Sequence, residues 1–503
     1  MTASVEIGLQ HWTADEFLRL VLDNGSFDSW DTPVVDPDGI STEYSEELRL
    51  AREKTGLDES VVTGEGVLHG HRVAVMVSEF GFLAGSIGIA AADRLVRAIE
   101  KATTQELPLL AAPVSGGTRM QEGTVAFVQM IRISAAIARH KEQALPYLVY
   151  LRSPTTGGVF ASWGSVGQVT VAQPGALIGL LGPRVYEALY GKPFPDNVQL
   201  AENLYKHGII DAVLEPAEWS LLVNRTLTVM RGKSMVPTRT AIPASEVIDP
   251  RPTWESVTRS RRSGRPGVRD LLRHAATDVV LLNGTGEGEQ DPALIVALAR
   301  FGGVSCICLG QDRDGQTATH AMGPGALREA RRGMRLAAEM RLPLLSVIDT
   351  PGAALSVEAE ESGLAGEIAR CMSHLVTLDV PVVALILGQG SGGGALALLP
   401  ADRVLAAQHA WLSPLLPEGA SAIVHRTAEL ASVMAEEQRI SSTDLLRNRI
   451  VDRIIPEQID AAEAAESFCR RVGKAISEEF AIAMDQDGTH RITSRLGRYQ
   501  ARR

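Results

Sequence analysis

Apolar residues in this chain follow two alternating rhythms. Short unbroken runs such as LPLLAAPV and LPYLVYL alternate with longer stretches, such as IAAADRLVRAIEKATT, in which they return every third or fourth position. The runs read as strands buried on both faces, and the stretches as helices with one apolar side. Strands of four to eight residues alternating with helices argue for α/β layering. Near the start, Thr13 and Glu16 are spaced as a capping box for a short helix, TADEFLRLVLDNG.

The pattern then repeats itself at an offset of 235 residues. Gly88 opens GIAAADRLVRAIEKATTQELPLL and Gly323 opens GPGALREARRGMRLAAEMRLPLL, two helices of equal length that end in the same Leu-Pro-Leu-Leu. Pro146 and Pro381 start apolar strands, Gly158 and Gly393 follow them, and Ala172-Gln173 is echoed by Ala407-Gln408, all at the same spacing. GIIDAVLEP from Gly208 and RIVDRIIPE from Arg449 sit 241 apart, so the register slips only near the end. A period this long fits whole domains rather than short stacked units. The chain therefore divides into a domain over 1–235, a connection over 236–265 and a second domain over 266–490.

Composition narrows this further. Length alone suggests about three domains, but the duplication of 503 residues reduces that to two. No stretch approaches the roughly 18 apolar residues of a membrane span, and the start has neither the basic end nor the apolar core of a signal peptide. A cytoplasmic protein is expected. The net charge of −11 argues against general nucleic-acid binding. Cys306 and Cys308 alternate in a strand-like run and Cys371 and Cys469 stand alone on helices, a spacing from which no zinc ribbon can be built. Prolines 237, 243, 250, 252 and 266 mark the interdomain connection; Arg259, Arg261, Arg262 and Arg265 there read as a solvated basic cluster, with a phosphate or partner contact as the alternative. The basic tail after Gly488 reads as frayed.

Candidate chemistry concentrates at glycine turns that follow strands: PVSGGTRMQEG and PTTGGVFASWG in the first half, DTPGA and GQGSGGGALAL in the second. A strand, a glycine pair and a helix place unpaired N–H groups at a helix N-terminus, where anions or developing oxyanions bind. One such donor is worth about 2.7 to 4 kcal/mol of transition-state stabilisation. Occurrence at equivalent places in both halves favours function over a merely tight turn. Gly388, Gly390 and Gly393 also satisfy G-x-G-x-x-G, but no acidic residue follows at the end of the next strand, which argues against a dinucleotide site. No acid–base constellation emerges; His140, His207, His274 and His409 read as packing or surface residues. Arg119 is open between a phosphate or carboxylate ligand and a salt bridge to Glu122, and Glu418 is similarly open.

SGGTRMQEG, PTTGGVFASWG and PGALIGLLGPRVYE in the first half, with IDTPGA, AEESG, GSGGGALAL, ADRVL and LPEGASAIV in the second, resemble the carboxyltransferase component of biotin-dependent acyl-CoA carboxylases, specifically fused β and α subunits of the acetyl-CoA carboxylase type. The resemblance covers about residues 13–460. It implies two tandem crotonase-like domains, each a spiral of ββα units, with acyl-CoA on the first and biotin on the second. The implied reaction moves a carboxyl group from carboxybiotin to acetyl-CoA or another short acyl-CoA, giving malonyl-CoA for fatty-acid or related biosynthesis. Two anionic oxygens need stabilising. The N–H groups of Gly157 and Gly158 are implied for the thioester and those of Gly394 and Ala395 for the biotin ureido oxygen. Gly116, Gly117 and Arg119, with Gly352 and Ala353, are implied on the substrate.

The same resemblance implies biotin supplied on a separate carrier protein, a separate biotin carboxylase, a homo-oligomer and no zinc. Many β subunits carry an N-terminal zinc ribbon that this chain lacks. After IDTPGA the usual Tyr-Pro-Gly is replaced by Ala354-Leu355-Ser356, and the usual Asn-Phe is absent around Ala321-Met322. Two other functions fit the same fold: a biotin-independent decarboxylase of malonyl thioesters, and a non-catalytic subunit of a carboxylase complex.

Overall fold

The computed structural model describes residues 10–36, 39–232, 251–317 and 319–499. The chain forms two compact units, one running to Leu227 and taking in Gly286–Gly288, the other holding Thr228–Thr285 and continuing from Glu289. Pro237, Pro243 and Pro250 of the expected connection lie outside the described residues. Beyond them Thr253–Ser260 and Val268–Ala275 are helices of the second unit.

In the first unit the strands are β1 (Asp28–Ser29), β2 (Val61–Leu68), β3 (His71–Ser78), β4 (Leu109–Ala112), β5 (Tyr147–Leu151), β6 (Thr155–Thr156), β7 (Val169–Ala172), β8 (Ile178–Gly179) and β9 (Ala212–Val213). One sheet has the order β1-β2-β3-β4-β5-β7-β9, antiparallel up to β3 and parallel from there on; β6 and β8 pair separately. The second unit carries β10 (Ala276–Leu282), β11 (Leu294–Phe301), β12 (Val304–Gln311), β13 (Leu344–Thr350), β14 (Val382–Ser391), β15 (Arg403–Ala407), β16 (Trp411–Ser413) and β17 (Arg453–Ile455). Its sheet runs β10-β11-β12-β13-β14-β15-β17, with β16 added to β14. The antiparallel hairpin at one edge and the parallel crossovers after it are the ββα units of a crotonase-like fold.

The duplication is visible bond by bond. Gly88 and Gly323 cap equivalent helices, Ile89–Thr104 and Pro324–Met340, with φ/ψ of −94/−175° and −95/−177°. Leu109 donates to Pro146 O and Leu344 to Pro381 O, both at 2.8 Å. Central strands β4, β5, β13 and β14 are largely apolar, as strands covered on both faces are, and all but one residue of these strands is buried. The ladder corrects one detail of the repeat. Val149 pairs with Thr170 and Ala384 with Val404, so the offset is already 234 in β7 and β15, and Ala407-Gln408 stands one residue out of step with Ala172-Gln173. The later echo carries chemistry: the Asp211 carboxylate accepts from Thr170 N–H at 2.8 Å and Asp452 from Val404 N–H at 2.7 Å.

Two readings of basic segments are overturned. The tail from Gly488 is a helix to Arg498, and the Arg495 side chain is fully buried, donating to the Asp402 carboxylate at 2.9 and 2.7 Å and to the carbonyls of Leu375, Leu378 and Val380. The basic cluster is ion-paired: Arg265 is buried against Glu457, Arg261 pairs with Glu418, and Arg259 and Arg262 with Asp460. Composition cannot reveal partners that lie some 150 to 200 positions away in sequence.

Candidate functional site

In each unit two turns converge, one after β4 or β13 and one after β5 or β14. The first is closed by a hydroxyl two residues back. Gly117 N–H donates to Ser115 Oγ at 3.0 Å, and Gly352 N–H to Thr350 Oγ1 at 3.1 Å. Both glycines sit at positive φ, +116° and +134°, a region closed to branched side chains, so glycine is needed for the bend itself. The next residue then forms a parallel bridge. Thr118 pairs with Ile87 and Ala353 with Met322, through the N–H of Arg119 and of Ala354, respectively. That leaves Thr118 N–H and Ala353 N–H without an acceptor among the described residues.

The second turn starts a helix. Gly157 and Gly392 take φ of +62° and +66° at the first helical position. The positions after it, Gly158 and Val159 in the first unit and Gly393 and Gly394 in the second, carry N–H groups that a helix start leaves without an intrahelical acceptor. In the first unit a Cβ on Gly117 would lie 4.0 Å from Gly158 N, and a Cβ on Gly157 only 3.4 Å from Gly117 Cα. In the second, a Cβ on Gly394 would stand 3.5 Å from Ala353 N and collide with the Met322 methyl at 2.4 Å. Each unit thus brings two glycine turns close together, a cradle with backbone N–H groups on both segments.

The expected donors divide accordingly. Gly158 and Gly394 occupy donor positions. Gly157 N–H is engaged by Leu180 O at 3.1 Å, and Ala395 is the fourth residue of its helix, where the N–H turns back on the cap residue Ser391. Gly116 N–H is likewise engaged, by Ala84 O at 2.8 Å. Thr118, the counterpart of Ala353 at the 235-residue offset, presents the same N–H and was not among the expected residues.

Arg119 is engaged within the unit. Its guanidinium is fully buried, donates to both Glu59 carboxylate oxygens and to Ser86 O, and lies 3.6 Å from Glu122. Glu122 in turn accepts from Ile89 N–H at 2.6 Å, capping the Ile89–Thr104 helix. Arg119 holds the turn from beneath. Glu418 pairs with Arg261, which holds its carboxyl below the usual range. Burial lowers His140 to about 4, with Thr103 Oγ1 2.9 Å from its Nδ1, as befits a packing histidine. Gly388 and Gly390 lie within β14, so the G-x-G-x-x-G match opens no phosphate loop. Among the described residues no group of three His, Cys, Asp or Glu could hold a metal ion, and no helix is long and apolar enough to cross a membrane.

Beside the first-unit turns lies a cavity of about 760 Å³. Leu50, Phe80, Leu83, Ala84 and Met120 give it apolar walls and Lys54 a cation. Leu83 and Ala84 both adopt positive φ, +44° and +55°, uncommon for residues with a side chain and characteristic of functional sites.

Comparison with known proteins fits this geometry. Residues 26–489 match the model of the carboxyl transferase domain. A probable biotin-dependent acyl-coenzyme A carboxylase beta3 subunit of Mycobacterium tuberculosis is 56% identical over 491 residues, covering 97% of this chain and 98% of that protein. Acetyl-coenzyme A carboxylase carboxyl transferase subunits beta/alpha of Salinispora arenicola are 38% identical, covering 90% and 84%. Among solved structures, the transcarboxylase 12S hexamer with methylmalonyl-coenzyme A and methylmalonic acid bound superposes with a TM-score of 0.73 at 20% identity, over 95% of this chain and 91% of that one.

Proposed function

The chain belongs to the carboxyl transferase domain family, and on that premise we propose that it transfers a carboxyl group from biotin on a separate carrier protein to acetyl-CoA or another short acyl-CoA. The observation that carries this reading is the pair of equivalent cradles, one per unit, each presenting backbone N–H donors from two segments. A reaction that passes through two oxyanions needs that arrangement.

The first-unit cradle, through Thr118, Gly158 and Val159, takes the thioester oxygen as it becomes an enolate. The neighbouring cavity suits the pantetheine arm, with Lys54 available to a phosphate. A volume of this size lies within the roughly 300–1,000 Å³ usual for ligand sites. In the second unit Ala353, Gly393 and Gly394 donate to the biotin ureido oxygen, and a Cβ at Gly394 would strike the Met322 methyl at 2.4 Å, which favours glycine there. Carboxybiotin, when bound, supplies both the carbon dioxide and the ureido nitrogen that takes the α-proton. The residues of the chain therefore bind, orient and stabilise charge, and none has to move a proton. Product malonyl-CoA would feed fatty-acid or related biosynthesis, with a biotin carboxylase, a carrier protein and further copies of this chain as partners, in the cytoplasm.

Incubating the protein with malonyl-CoA and biocytin tests the reading in reverse. Acetyl-CoA is expected to form far faster with biocytin present than without it. Formation at the same rate without biocytin would assign a malonyl-thioester decarboxylase instead, and no formation with any acyl-CoA pair would leave a non-catalytic subunit.

A further inference from the structure

The ladder between β13 and β14 breaks just before the second-unit cradle. Ile348 pairs with Ile386 and Thr350 with Gly390, so Leu387, Gly388 and Gln389 together oppose the single residue Asp349. On its other edge β14 leaves β15 after Ile386 and takes up β16 from Gln389. This is a special bulge, three residues against one, a device that bends a strand and re-aims the residues beyond it. The Gly392 turn comes only two residues after Gly390, where pairing resumes.

A bulge strands backbone groups that must find partners when buried. Here two charged side chains supply them. Asp349 Oδ1 accepts from Gln389 N–H at 3.0 Å, and Arg265 Nη2 donates to Leu387 O at 3.1 Å. Gly388 passes so close to Asp349 that a Cβ there would stand 2.5 Å from Oδ1. The Asp349 carboxylate is buried; its Oδ2 makes no hydrogen bond among the described residues and faces Arg313 Nη1 at 3.6 Å. Burial pushes the carboxyl up and Arg313 opposes the rise. Arg313 is fixed by the carbonyls of Arg265 and Ser260, and Gln316 ties Asp349 O to Thr350 Oγ1, the hydroxyl that closes the Gly352 turn. One residue is thus bonded to both segments of the cradle, its carboxylate to Gln389 N–H and its backbone carbonyl, through Gln316, to Thr350 Oγ1. In the first unit Val114 occupies the corresponding position, and β5 and β4 pair without a register shift.

We propose that Asp349 is a positioning residue for the second-unit cradle, clamping the β14 bulge so that Gly393 and Gly394 N–H converge with Ala353 N–H on the ureido oxygen. The inference rests on the carboxyltransferase reading of the same cradle. A displacement near 1 Å costs about 100-fold in rate, so loss of the clamp is an effect on turnover rather than on acyl-CoA binding.

The test compares Asp349→Ala, Asp349→Asn and Gly388→Ala, alone and Gly388→Ala combined with Asp349→Ala, in the biocytin-dependent assay on the full chain. Asp349→Ala is expected to lower kcat by roughly 10- to 100-fold while KM for malonyl-CoA stays unchanged. Asp349→Asn keeps an acceptor for Gln389 and should recover much of the loss. Gly388→Ala should be as damaging as Asp349→Ala in the native background and add little to it in the double variant, where the carboxylate it strikes is gone. Amide hydrogen exchange over residues 387–396 should quicken in Asp349→Ala and much less in Asp349→Asn. A native kcat in Asp349→Ala, full additivity in the double variant, or unchanged exchange would each overturn the proposal. Should the native protein transfer nothing to biocytin, the functional reading fails, and exchange alone then decides whether Asp349 holds the bulge.

Discussion

Arg119 marks the difference between a residue near a site and a residue of the site. Its motif, SGGTRMQEG, points to a ligand, yet the guanidinium lies buried against Glu59 beneath the turn. Removing one partner of a buried pair strands the other charge and costs about 3–5 kcal/mol. Arg119→Met is therefore expected to lower the unfolding free energy by about that much, measured by denaturant titration, whereas a ligand-binding arginine would leave stability nearly unaltered and raise KM for acyl-CoA. The glycine turns were legible because strand, glycine pair and helix are local. Which N–H groups remain available was not, since Leu180 O, Ser115 Oγ and Ala84 O reach them through the fold.

Equivalent elements in the two units are held by different groups. Glu122 caps the Ile89–Thr104 helix, whereas in the second unit Asp291 accepts from Gly323 N–H at 3.1 Å and Ala326 N–H at 3.3 Å, and Asp291 N–H in turn donates to Glu329. Burial raises Glu329 from its ordinary 4.5 to about 8, with the Asp291 charge adding to the rise. A raised carboxyl favours the fold at low pH: the contribution is complete below about 4.5 and is lost as pH climbs through about 8. Glu329→Gln is uncharged at every pH and can still accept from Asp291. Thermal unfolding should show its Tm drawing ahead of the native protein between pH 5 and pH 9; a constant gap would mean that Glu329 keeps an ordinary pKa in the fold. The helix and strand order was legible in the apolar rhythm, and so was the capping box at Thr13 and Glu16, which forms as spaced. The β14 bulge and the C-terminal helix were not. Both depend on buried ion pairs, Arg265–Glu457 and Arg495–Asp402, that join segments far apart in the chain.

For the molecule as a whole, the fixed offset announced two copies of one domain, and two units fold around two sheets of matching order. If one copy holds acyl-CoA and the other biotin, segments 1–250 and 251–503 expressed apart should each fail to transfer carboxyl from malonyl-CoA to biocytin; carboxybiocytin formed by either segment alone would contradict the division of labour. Met120, Phe127, Val128 and Ile131 leave an exposed apolar stripe on and beside the Gly123–Glu142 helix, the kind of surface that binding partners cover. The most direct measurement separates the two cradles by their partial reactions. Loss of carbon dioxide from malonyl-CoA without biocytin needs only the thioester oxyanion, whereas transfer to biocytin needs both. Gly158→Val is predicted to slow both reactions by about 100- to 1000-fold. Gly394→Val should slow only the biocytin-dependent one, by a similar factor, and leave the slow biocytin-independent loss at the native rate. Equal damage to both reactions by Gly394→Val, in protein whose unfolding curve is native-like, would contradict the assignment of one cradle to each substrate.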